Sequence, residues 1–303
     1  MPFFFVGVVF VRCVDVRVVS FLSDFGSSDS YVAQMKGSVL SRCEASLVDI
    51  THEVKKQDIN EAAFLLWSVV DHFPKGSVHV AVVDPGVGSS RRGLVVVTPK
   101  CVLVGPDNGV LMPAAHKCGS FSAFEIDMNR FLQGNVSSVF HGRDVFAVVA
   151  AQIVNGLPFE QIGKRASDVV DLDFGRGVSR EGFVSGEIIH IDSFGNCVSN
   201  ISRSLLPEVF GGVFANGLVG KYSVAAPFVR SYSFVKKGEL LSTVGSANVL
   251  EFSVNEGSAK KMLGVSVGDS VRVRFDALEA TKKDEKKSDL LDELKSEFDE
   301  SIK

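Results

Sequence analysis

The first hydrophobic segments of the chain follow two different periods. Residues 16–22 form a β-branched run that is almost continuously apolar, which is typical of a strand buried on both faces. Residues 30–40 instead place their apolar side chains Tyr31, Met35 and Val39 at the spacing of one helical stripe. A strand followed by a helix is therefore predicted.

The same alternation then repeats. Residues 46–50 read as a short strand, and residues 62–73 as an apolar helix that Pro74 ends. Asp58 with Glu61 three residues later is typical of a helix N-terminus. Residues 78–83 are a third, wholly apolar strand. The order predicts a βαβαβ unit with a parallel sheet between helices.

Turn residues become more frequent after this unit. Residues 94–98 and 101–104 are predicted strands, and residues 106–109 (Pro-Asp-Asn-Gly) a tight turn. Residues 144–154 are predicted to form another helix, closed by the turn residues 155–158.

The second half has a different pattern. Short apolar segments at residues 186–191, 212–219, 249–254 and 270–275 are separated by Gly, Ser and Asn, and no helix is predicted after residue 183 until the end of the chain. This spacing predicts a small antiparallel barrel or sandwich. A Gly- and Arg-containing segment near residues 173–179 predicts the boundary. The predicted organisation is a leader that forms an edge strand or no fixed structure (1–15), an α/β domain (16–178), a β-barrel domain (183–278) and a charged tail that is a solvated helix or disordered (279–303).

Composition and charge narrow the function classes. The 303 residues are 46% apolar and 22% charged, which suits one or two globular cores. The net charge is −4, and residues 279–303, with nine acids and six lysines, carry −3 of it. Because the chain has no basic surplus, nucleic acid is an unfavourable partner.

Cysteines and hydropathy bear on the compartment. Five cysteines without a CxxC pair argue against a disulfide framework and a zinc ribbon, so a reducing, cytoplasmic setting is predicted. The apolar leader lacks a basic flank and a small-residue cleavage site, and it is shorter than the about 20 residues that span a bilayer. No membrane partner is expected.

Three acidic residues stand at or near strand ends. Asp24, Asp49 and Asp84 end or follow the three strands of the predicted βαβαβ unit. The carboxyl ends of parallel strands form the ligand crevice of an open α/β sheet, so these carboxylates are candidate site residues. The alternative is that aspartate simply ends strands and caps helices.

Asp24 and Asp84 each lie in a segment that is dense in special residues, and His141 lies in a third such segment. The segment 23–31 leads from Asp24 through small residues to a helix N-terminus, which suits a sugar diol but equally suits an ordinary cap. The segment 84–92 has Pro85 and two glycines beside Asp84, and both arginines at its end can fold back onto that carboxylate; it lacks the residues of a P-loop. The segment 140–144 is interpreted as a strand-end histidine followed by a helix-capping aspartate.

Together the runs resemble a known family, the S-adenosylmethionine hydroxide adenosyltransferases, which are the water-using relatives of fluorinases and chlorinases. The resemblance covers residues 16–275, in order and spacing. Five motifs carry it: Ser23-Asp24-Phe25-Gly26, Asp84-Pro85-Gly86-Val87-Gly88 with Arg91, Pro106-Asp107-Asn108-Gly109, Phe140-His141-Gly142-Arg143-Asp144, and Asp192-Ser193-Phe194-Gly195-Asn196.

The resemblance implies an α/β fold, with an N-terminal Rossmann-like domain and a C-terminal antiparallel β-barrel domain. It also implies a homotrimer with each active site between the first domain of one subunit and the second domain of its neighbour. The implied reaction is the hydrolysis of S-adenosyl-L-methionine to adenosine and L-methionine, through attack of water on the ribose C5′. No metal or other cofactor is implied.

The resemblance also implies roles for individual residues. The implied catalytic residues are Asp84, Arg91 and His141, which match the positions that handle the water. The implied substrate-binding residues are Asp24 for the ribose hydroxyls, Asp192 and Ser246 for the methionine amine and carboxylate, and Phe194 and Asn196 near the adenine. Gln57 departs from the family, because an aromatic residue usually packs on the substrate there, and this puts the tightness of the pocket in doubt.

The implied reaction suits these residue types. Methionine leaves as a neutral thioether, so no general acid is needed and catalysis reduces to placing a water in line with the carbon–sulfur bond. Asp84, fixed by Arg91, is expected to orient the water, and His141, with a reference pKa of about 6.5, to accept its proton.

Three other readings are kept open. A chlorinase-like halogenase is disfavoured because a carboxylate at position 84 repels an incoming anion, although Gly142 by itself decides nothing. A metal-dependent phosphohydrolase would use Asp24, Asp84, His141 and Asp144, but no clustered ligand motif is visible. A non-catalytic sensor of the substrate or a nucleoside would have no need of the catalytic set.

Overall fold

The computed structural model describes residues 17–131 and 137–277, which divide into two compact units between Leu172 and Asp173. The leader 1–15 and the tail 279–303 lie outside these residues, so the predictions for them are untested. In the part of the chain that is described, no helix has the length and apolar character needed to cross a membrane.

The first unit is a mixed sheet with helices. Its strands are β1 (Val18–Ser23), β2 (Ser46–Thr51), β3 (Val78–Val82), β4 (Gly93–Val97), β5 (Val102–Pro106), β6 (Ser122–Glu125) and β7 (Arg165–Ala166). Its helices are α1 (Tyr31–Leu40), α2 (Ile59–Val69), α3 (Met112–Cys118), α4 (Met128–Phe131) and α5 (Ala147–Val154).

The strands lie in the order β2-β1-β3-β5-β4-β6-β7. The four strands β2, β1, β3 and β5 are parallel, whereas β4, β6 and β7 pair antiparallel with their neighbours. The predicted βαβαβ unit is confirmed. The elements α3, β6, α4 and β7 were not predicted, because they are short and their apolar residues follow no clear period.

Apolar side chains of the sheet pack on both faces, as the continuous apolar runs predict. On one face Val80 and Val82 of β3 belong to a core with Met35 of α1 and residues of α5. On the other, Ala81 of the same strand packs in a core with Leu66 of α2 and residues of α3.

Two details of the helices differ from the predictions. Asp58 caps α2 by accepting a hydrogen bond from the Glu61 N–H at 2.9 Å, so the helix begins at Ile59 rather than at residue 62. Tyr31, predicted on the buried stripe of α1, is 47% exposed. Its ring instead makes an edge-to-face contact with the ring of Phe140.

The second unit is an antiparallel barrel. Its strands are β8 (Val178–Arg180), β9 (Phe183–Ile191), β10 (Cys197–Ser202), β11 (Val213–Val219), β12 (Tyr222–Pro227), β13 (Leu240–Val244), β14 (Val249–Val254) and β15 (Ser270–Ala277). The order is β12-β11-β15-β9-β10-β14-β13, with β8 on β9. A single bridge between Phe228 and Ser242 joins the two ends of this path, so the sheet is nearly closed around a core that includes Ile188 and Phe252. The predicted fold class is confirmed.

One helix corrects the prediction of an all-strand second half. The helix α6 (Ala259–Leu263) is capped by Ser258, whose hydroxyl accepts from the Lys261 N–H, and it ends at Gly264 in a left-handed conformation. Five residues are too few for helical periodicity to show in the sequence.

The described cysteines are all free thiols. Cys101 and Cys118 nevertheless lie close together in the first unit, with 3.8 Å between their sulfur atoms, and both are buried.

Candidate active site

A pocket of about 230 Å³ opens at the carboxyl edge of the parallel strands, in the first unit. Asp24 and Asp84 lie there because they follow β1 and β3, which are adjacent and end at the same edge. The polar lining residues are Asp24, Lys56, Gln57, Asp84 and His141. The remaining lining residues are Phe25, Val82, Pro85, Val87, Val139, Phe140 and Gly142.

Arg91 joins Asp84 to His141 at this pocket. Its Nε donates to Asp84 Oδ1 at 2.9 Å, its Nη2 donates to Asp84 Oδ2, and the same Nη2 donates to His141 Nδ1 at 2.9 Å. The carboxylate is 6% exposed and the guanidinium 11% exposed. The ring of Phe146 supports the guanidinium from one side, 5.3 Å from its centroid. The structure thus brings together the three predicted catalytic residues.

Two glycines allow the loop from Asp84 to Arg91 to fold back. A Cβ on Gly86 would lie 3.2 Å from Arg91 Cγ, so a larger residue would crowd the arginine against Asp84. Gly88 has a φ of +77°, and a Cβ there would lie 2.7 Å from the carbonyl oxygen of Ser138. Glycine is the residue that accepts both conditions without strain.

Arg92 does not join Asp84, in contrast to the prediction for both arginines. Its Nε donates to Asp107 at 2.8 Å and its Nη1 to Asp168 at 2.9 Å. The neighbouring Asn108 donates from Nδ2 to the Val83 carbonyl at 2.8 Å, directly before Asp84. Asp107 and Asn108 of the Pro-Asp-Asn-Gly motif therefore brace the segment 83–92 through Arg92 and the Val83 carbonyl.

His141 is held as a neutral imidazole. Burial lowers its pKa from the ordinary value, and the positive charge of Arg91 lowers it further. A guanidinium can only donate hydrogen bonds, so Nδ1 of His141 must be the unprotonated nitrogen. The ring proton is then on Nε2, and the neutral ring presents a donor there.

The surroundings of His141 correct the interpretation of its motif. No strand precedes it in residues 137–140, and a π-helical turn, Gly142–Phe146, follows it and leads into α5. Asp144 lies inside that turn rather than capping a helix, where it pairs with Arg143 and accepts from the Ser137 N–H at 2.9 Å. This turn places His141 at the pocket wall.

Asp24 also lines the pocket and is held there by a backbone N–H group. Its Oδ2 accepts a hydrogen bond from the N–H of Gln57 at 2.9 Å, and Lys56 Nζ contacts its carbonyl oxygen. Gln57 has a φ of +65°, a conformation rare outside glycine. The strained backbone therefore serves to hold Asp24, and the Gln57 side chain lines the pocket where the resemblance implies an aromatic ring.

Three of the predicted substrate-binding residues of the second unit, Asp192, Phe194 and Asn196, are joined by hydrogen bonds. Asp192 Oδ1 accepts from the N–H groups of Phe194 and Asn196, both at 2.9 Å, and Asn196 Nδ2 donates to Asp192 Oδ2 at 2.8 Å. Phe194 is 76% exposed. Ser246 is exposed in the β13–β14 turn.

Sequence reasoning missed a buried carboxyl group beside these residues. Glu251 Oε1 accepts from the hydroxyls of Tyr232 at 2.9 Å and Ser253 at 2.7 Å. Burial raises its pKa, and the negative charge of Asp192 adds to the increase. A Cβ added to Gly245 would lie 2.4 Å from Glu251 Oε2, so the carboxyl group packs against the turn that carries Ser246. No motif marks Glu251 in the sequence.

The four residues considered as metal ligands do not form a ligand set. Within residues 17–131 and 137–277, no group of three or more His, Cys, Asp or Glu side chains is arranged to hold a metal ion. Asp84 and Asp144 are each paired with an arginine, which competes with a cation for the carboxylate.

Comparison with protein families shows which family this chain belongs to. Residues 19–163 match the SAM hydroxide adenosyltransferase N-terminal domain, and residues 186–272 match the C-terminal domain of the same family. The chain belongs to the SAM hydroxide adenosyltransferase family. The resemblance stated from the five motifs is confirmed.

Individual relatives agree with this membership. A protein of Methanocaldococcus jannaschii named (R)-S-adenosyl-L-methionine hydrolase is 32% identical over 279 residues, covering 88% of this chain and 99% of its own. One of the same name from Salinispora tropica is 36% identical over 84% of this chain and 97% of its own. A fluorinase of Actinopolyspora mzabensis is 26% identical over 84% of this chain and 96% of its own.

A solved structure supports the fold. The crystal structure of an uncharacterized conserved protein from Thermotoga maritima superposes with a TM-score of 0.79 at 35% identity, covering 84% of this chain and 99% of that one.

Proposed function

We propose that this family member hydrolyses S-adenosyl-L-methionine to adenosine and L-methionine by attack of water on the ribose C5′. The observation that carries the proposal is the Asp84–Arg91–His141 cluster at the pocket wall. The hydrolase names of relatives at 32% and 36% identity support the same substrate class.

The hydrolysis needs no general acid and only a weak general base. The sulfonium leaves as a neutral thioether, and the attacking oxygen becomes positively charged and strongly acidic as its bond to C5′ forms. A weak base close to that oxygen therefore suffices to take the proton. The main task of the site is to hold the water in line with the carbon–sulfur bond.

The ring tautomer suggests how the water is held. Nδ1 of His141 is occupied by Arg91, so the histidine is poorly placed to accept a proton there and is better suited to donate from Nε2 to the water oxygen. Asp84 then accepts a hydrogen bond from the water and takes the proton as the C–O bond forms, before passing it to solvent. This proposal reverses the roles expected from the residue types alone.

The pocket also suits the substrate. Asp24 has one oxygen satisfied by the Gln57 N–H, and among the described residues none donates to its Oδ1, which leaves that oxygen for the ribose diol. The volume of about 230 Å³ is below the roughly 300–1,000 Å³ of whole-ligand sites, so groups beyond this pocket must contact the rest of a molecule of this size.

Isotope labelling gives the decisive test. The protein is incubated with S-adenosyl-L-methionine, as each sulfonium epimer separately, in H2¹⁸O with and without chloride or fluoride. We expect adenosine carrying ¹⁸O at the 5′ position, unlabelled methionine and no halide dependence. Formation of 5′-chloroadenosine or 5′-fluoroadenosine would support halogenation instead. Tight binding of the substrate with no product would support the sensor.

A matched variant connects the result to the site. Asp84→Asn keeps the size of the side chain and removes the base, so we expect kcat to fall by a factor of 10² to 10⁴ while binding persists. Asp127→Asn, a carboxylate change away from this pocket, serves as the control. Unchanged turnover in Asp84→Asn would contradict the proposed role.

The homotrimer, the cytoplasmic location and the roles of the second-unit residues stay predictions. Light scattering coupled to size exclusion tests the first. Substitution of Asp192, Phe194, Asn196 and Ser246, each read out as KM for the substrate, tests the last.

A further inference from the structure

A chain of hydrogen bonds leads from the partly exposed Lys36 and Asp49 to the buried His52 and Ser23, directly before Asp24. Lys36 pairs with Asp49 Oδ2 at 2.5 Å, His52 Nε2 lies 3.0 Å from Asp49 Oδ1, and His52 Nδ1 lies 2.7 Å from Ser23 Oγ. Ser23 is fully buried and His52 is 8% exposed. Because Ser23 has no access to solvent, this serine, histidine and aspartate do not form a nucleophilic site.

The sheet creates this chain through an irregular pairing. In the parallel pair β1–β2, Phe21 lies opposite Asp49 but Leu22 lies opposite Thr51, so one residue of β2 is extra. Side chains three positions apart on a regular strand point to opposite faces. The extra residue of β2, together with the bend at His52 directly after the strand ends at Thr51, lets the side chains of Asp49 and His52 meet.

The donors and acceptors match along the whole chain when His52 is neutral. The Asp49 carboxylate can only accept, so His52 Nε2 donates to it and Nδ1 is free to accept from the Ser23 hydroxyl. Ser23 Oγ in turn accepts from the N–H of Phe25 at 3.3 Å. In this relay of Asp49, His52 and Ser23, both ring nitrogens of the buried His52 and the buried Ser23 hydroxyl thus have partners.

His52 holds the loop that carries Asp24 at both ends. Its side chain binds Ser23, directly before Asp24, and its carbonyl oxygen accepts from the N–H of Gly26 at 2.7 Å, two residues after it. Asp24 and Phe25 lie between these anchors and line the pocket.

We infer that Asp49, His52 and Ser23 act as positioning residues that set the orientation of the Asp24 carboxylate toward the ribose hydroxyls of the substrate. The inference rests on the role of Asp24 in the proposed function. The relay touches the substrate only through Asp24, so its loss should weaken recognition of the diol and leave recognition of the adenine unchanged.

Two different substitutions at position 52 separate the hydrogen bond to Asp49 from the hydrogen bond to Ser23. A glutamine amide occupies the place of Nε2 and reaches Asp49, but it leaves Ser23 without its acceptor. An asparagine amide occupies the place of Nδ1 and keeps an acceptor for Ser23. His72→Gln, on the exposed turn after α2, is the matched control for the chemical change.

The readout is the ratio of dissociation constants for adenosine and 2′,3′-dideoxyadenosine, measured by calorimetry on the full chain. His52→Gln and Ser23→Ala should each weaken adenosine about tenfold, the size expected for one misplaced hydrogen bond to a charged group, and leave the dideoxynucleoside unchanged. His52→Asn keeps the acceptor for Ser23 but loses the contact with Asp49, so it should weaken adenosine by an intermediate factor of about threefold. In an Asp24→Ala background, His52→Gln should have no further effect.

Two results would overturn the inference. One is an equal loss for both nucleosides in His52→Gln, which indicates a general structural role. The other is a wild-type protein that does not distinguish the nucleosides. Since nucleoside binding needs no turnover, a protein that fails to hydrolyse S-adenosylmethionine would refute the proposed function while the binding ratio still decides the inference.

Discussion

Replacing Arg91 by methionine tests the electrostatics of the Asp84–Arg91–His141 cluster. The change removes both donors to Asp84, whose carboxylate is 6% exposed, and leaves a buried negative charge without its partner. Removing one partner of a buried pair costs about 3–5 kcal/mol. The pair lies at the wall of an open pocket, so we expect the free energy of unfolding to fall by about 3 kcal/mol.

The double variant Asp84→Asn/Arg91→Met removes the stranded charge and should recover most of that loss. Urea unfolding followed by circular dichroism measures both, with Arg165→Met as control, because Arg165 also stacks on a phenylalanine ring and is exposed. A loss below about 1 kcal/mol in Arg91→Met, or no recovery in the double variant, would refute the reasoning.

The same substitution should change the titration of His141. Arg91 lowers the pKa of the imidazole through its charge, second in size to burial. Without it, the pKa should rise toward the ordinary value of about 6.5, as measured by NMR of the ring protons. An unchanged pKa would mean that burial alone sets it.

Two further predictions concern stability. Burial lowers the pKa of His79 to about 4. Between about pH 6.5 and pH 4 the imidazole is therefore protonated in the unfolded chain but not in the folded chain. The free energy of unfolding should fall by about 3 kcal/mol over this range and then level off. In His79→Gln that component should vanish from the pH dependence of urea unfolding, and an identical slope would contradict it. Gly88→Ala places a Cβ 2.7 Å from the carbonyl oxygen of Ser138 at a φ of +77°, whereas Gly76→Ala, at +86°, meets open space. Thermal melting should show the former losing about 1–3 kcal/mol more than the latter, and equal losses would show that the loop relaxes.

Much of the fold was open to prediction, because it rests on local regularities. The buried strands β1 and β3 are predicted by continuous apolar runs, and the cap at Asp58 depends on residues within one helical turn. The short elements α6 and β7 were missed for the same reason, since five or two residues show no period.

The candidate site was open to prediction only in part. Asp24, Asp84, Arg91 and His141 stood out because they lie in dense motifs, and the structure gathers them around one pocket. Glu251 and the relay residue His52 stood out by no motif, although both are buried and hydrogen-bonded.

The sequence by itself determined the fold class, the family and the members of the Asp84–Arg91–His141 cluster, since apolar periods and short motifs depend on neighbours along the chain. Only the tertiary structure decided which arginine binds Asp84, which nitrogen of His141 is free, and how Asp49, His52 and Ser23 support Asp24. Those facts depend on groups up to 50 residues apart that meet where strand ends align. A hydrogen bond depends on donor–acceptor distances and angles that must be right to within a fraction of an ångström, and spacing along a chain does not specify them.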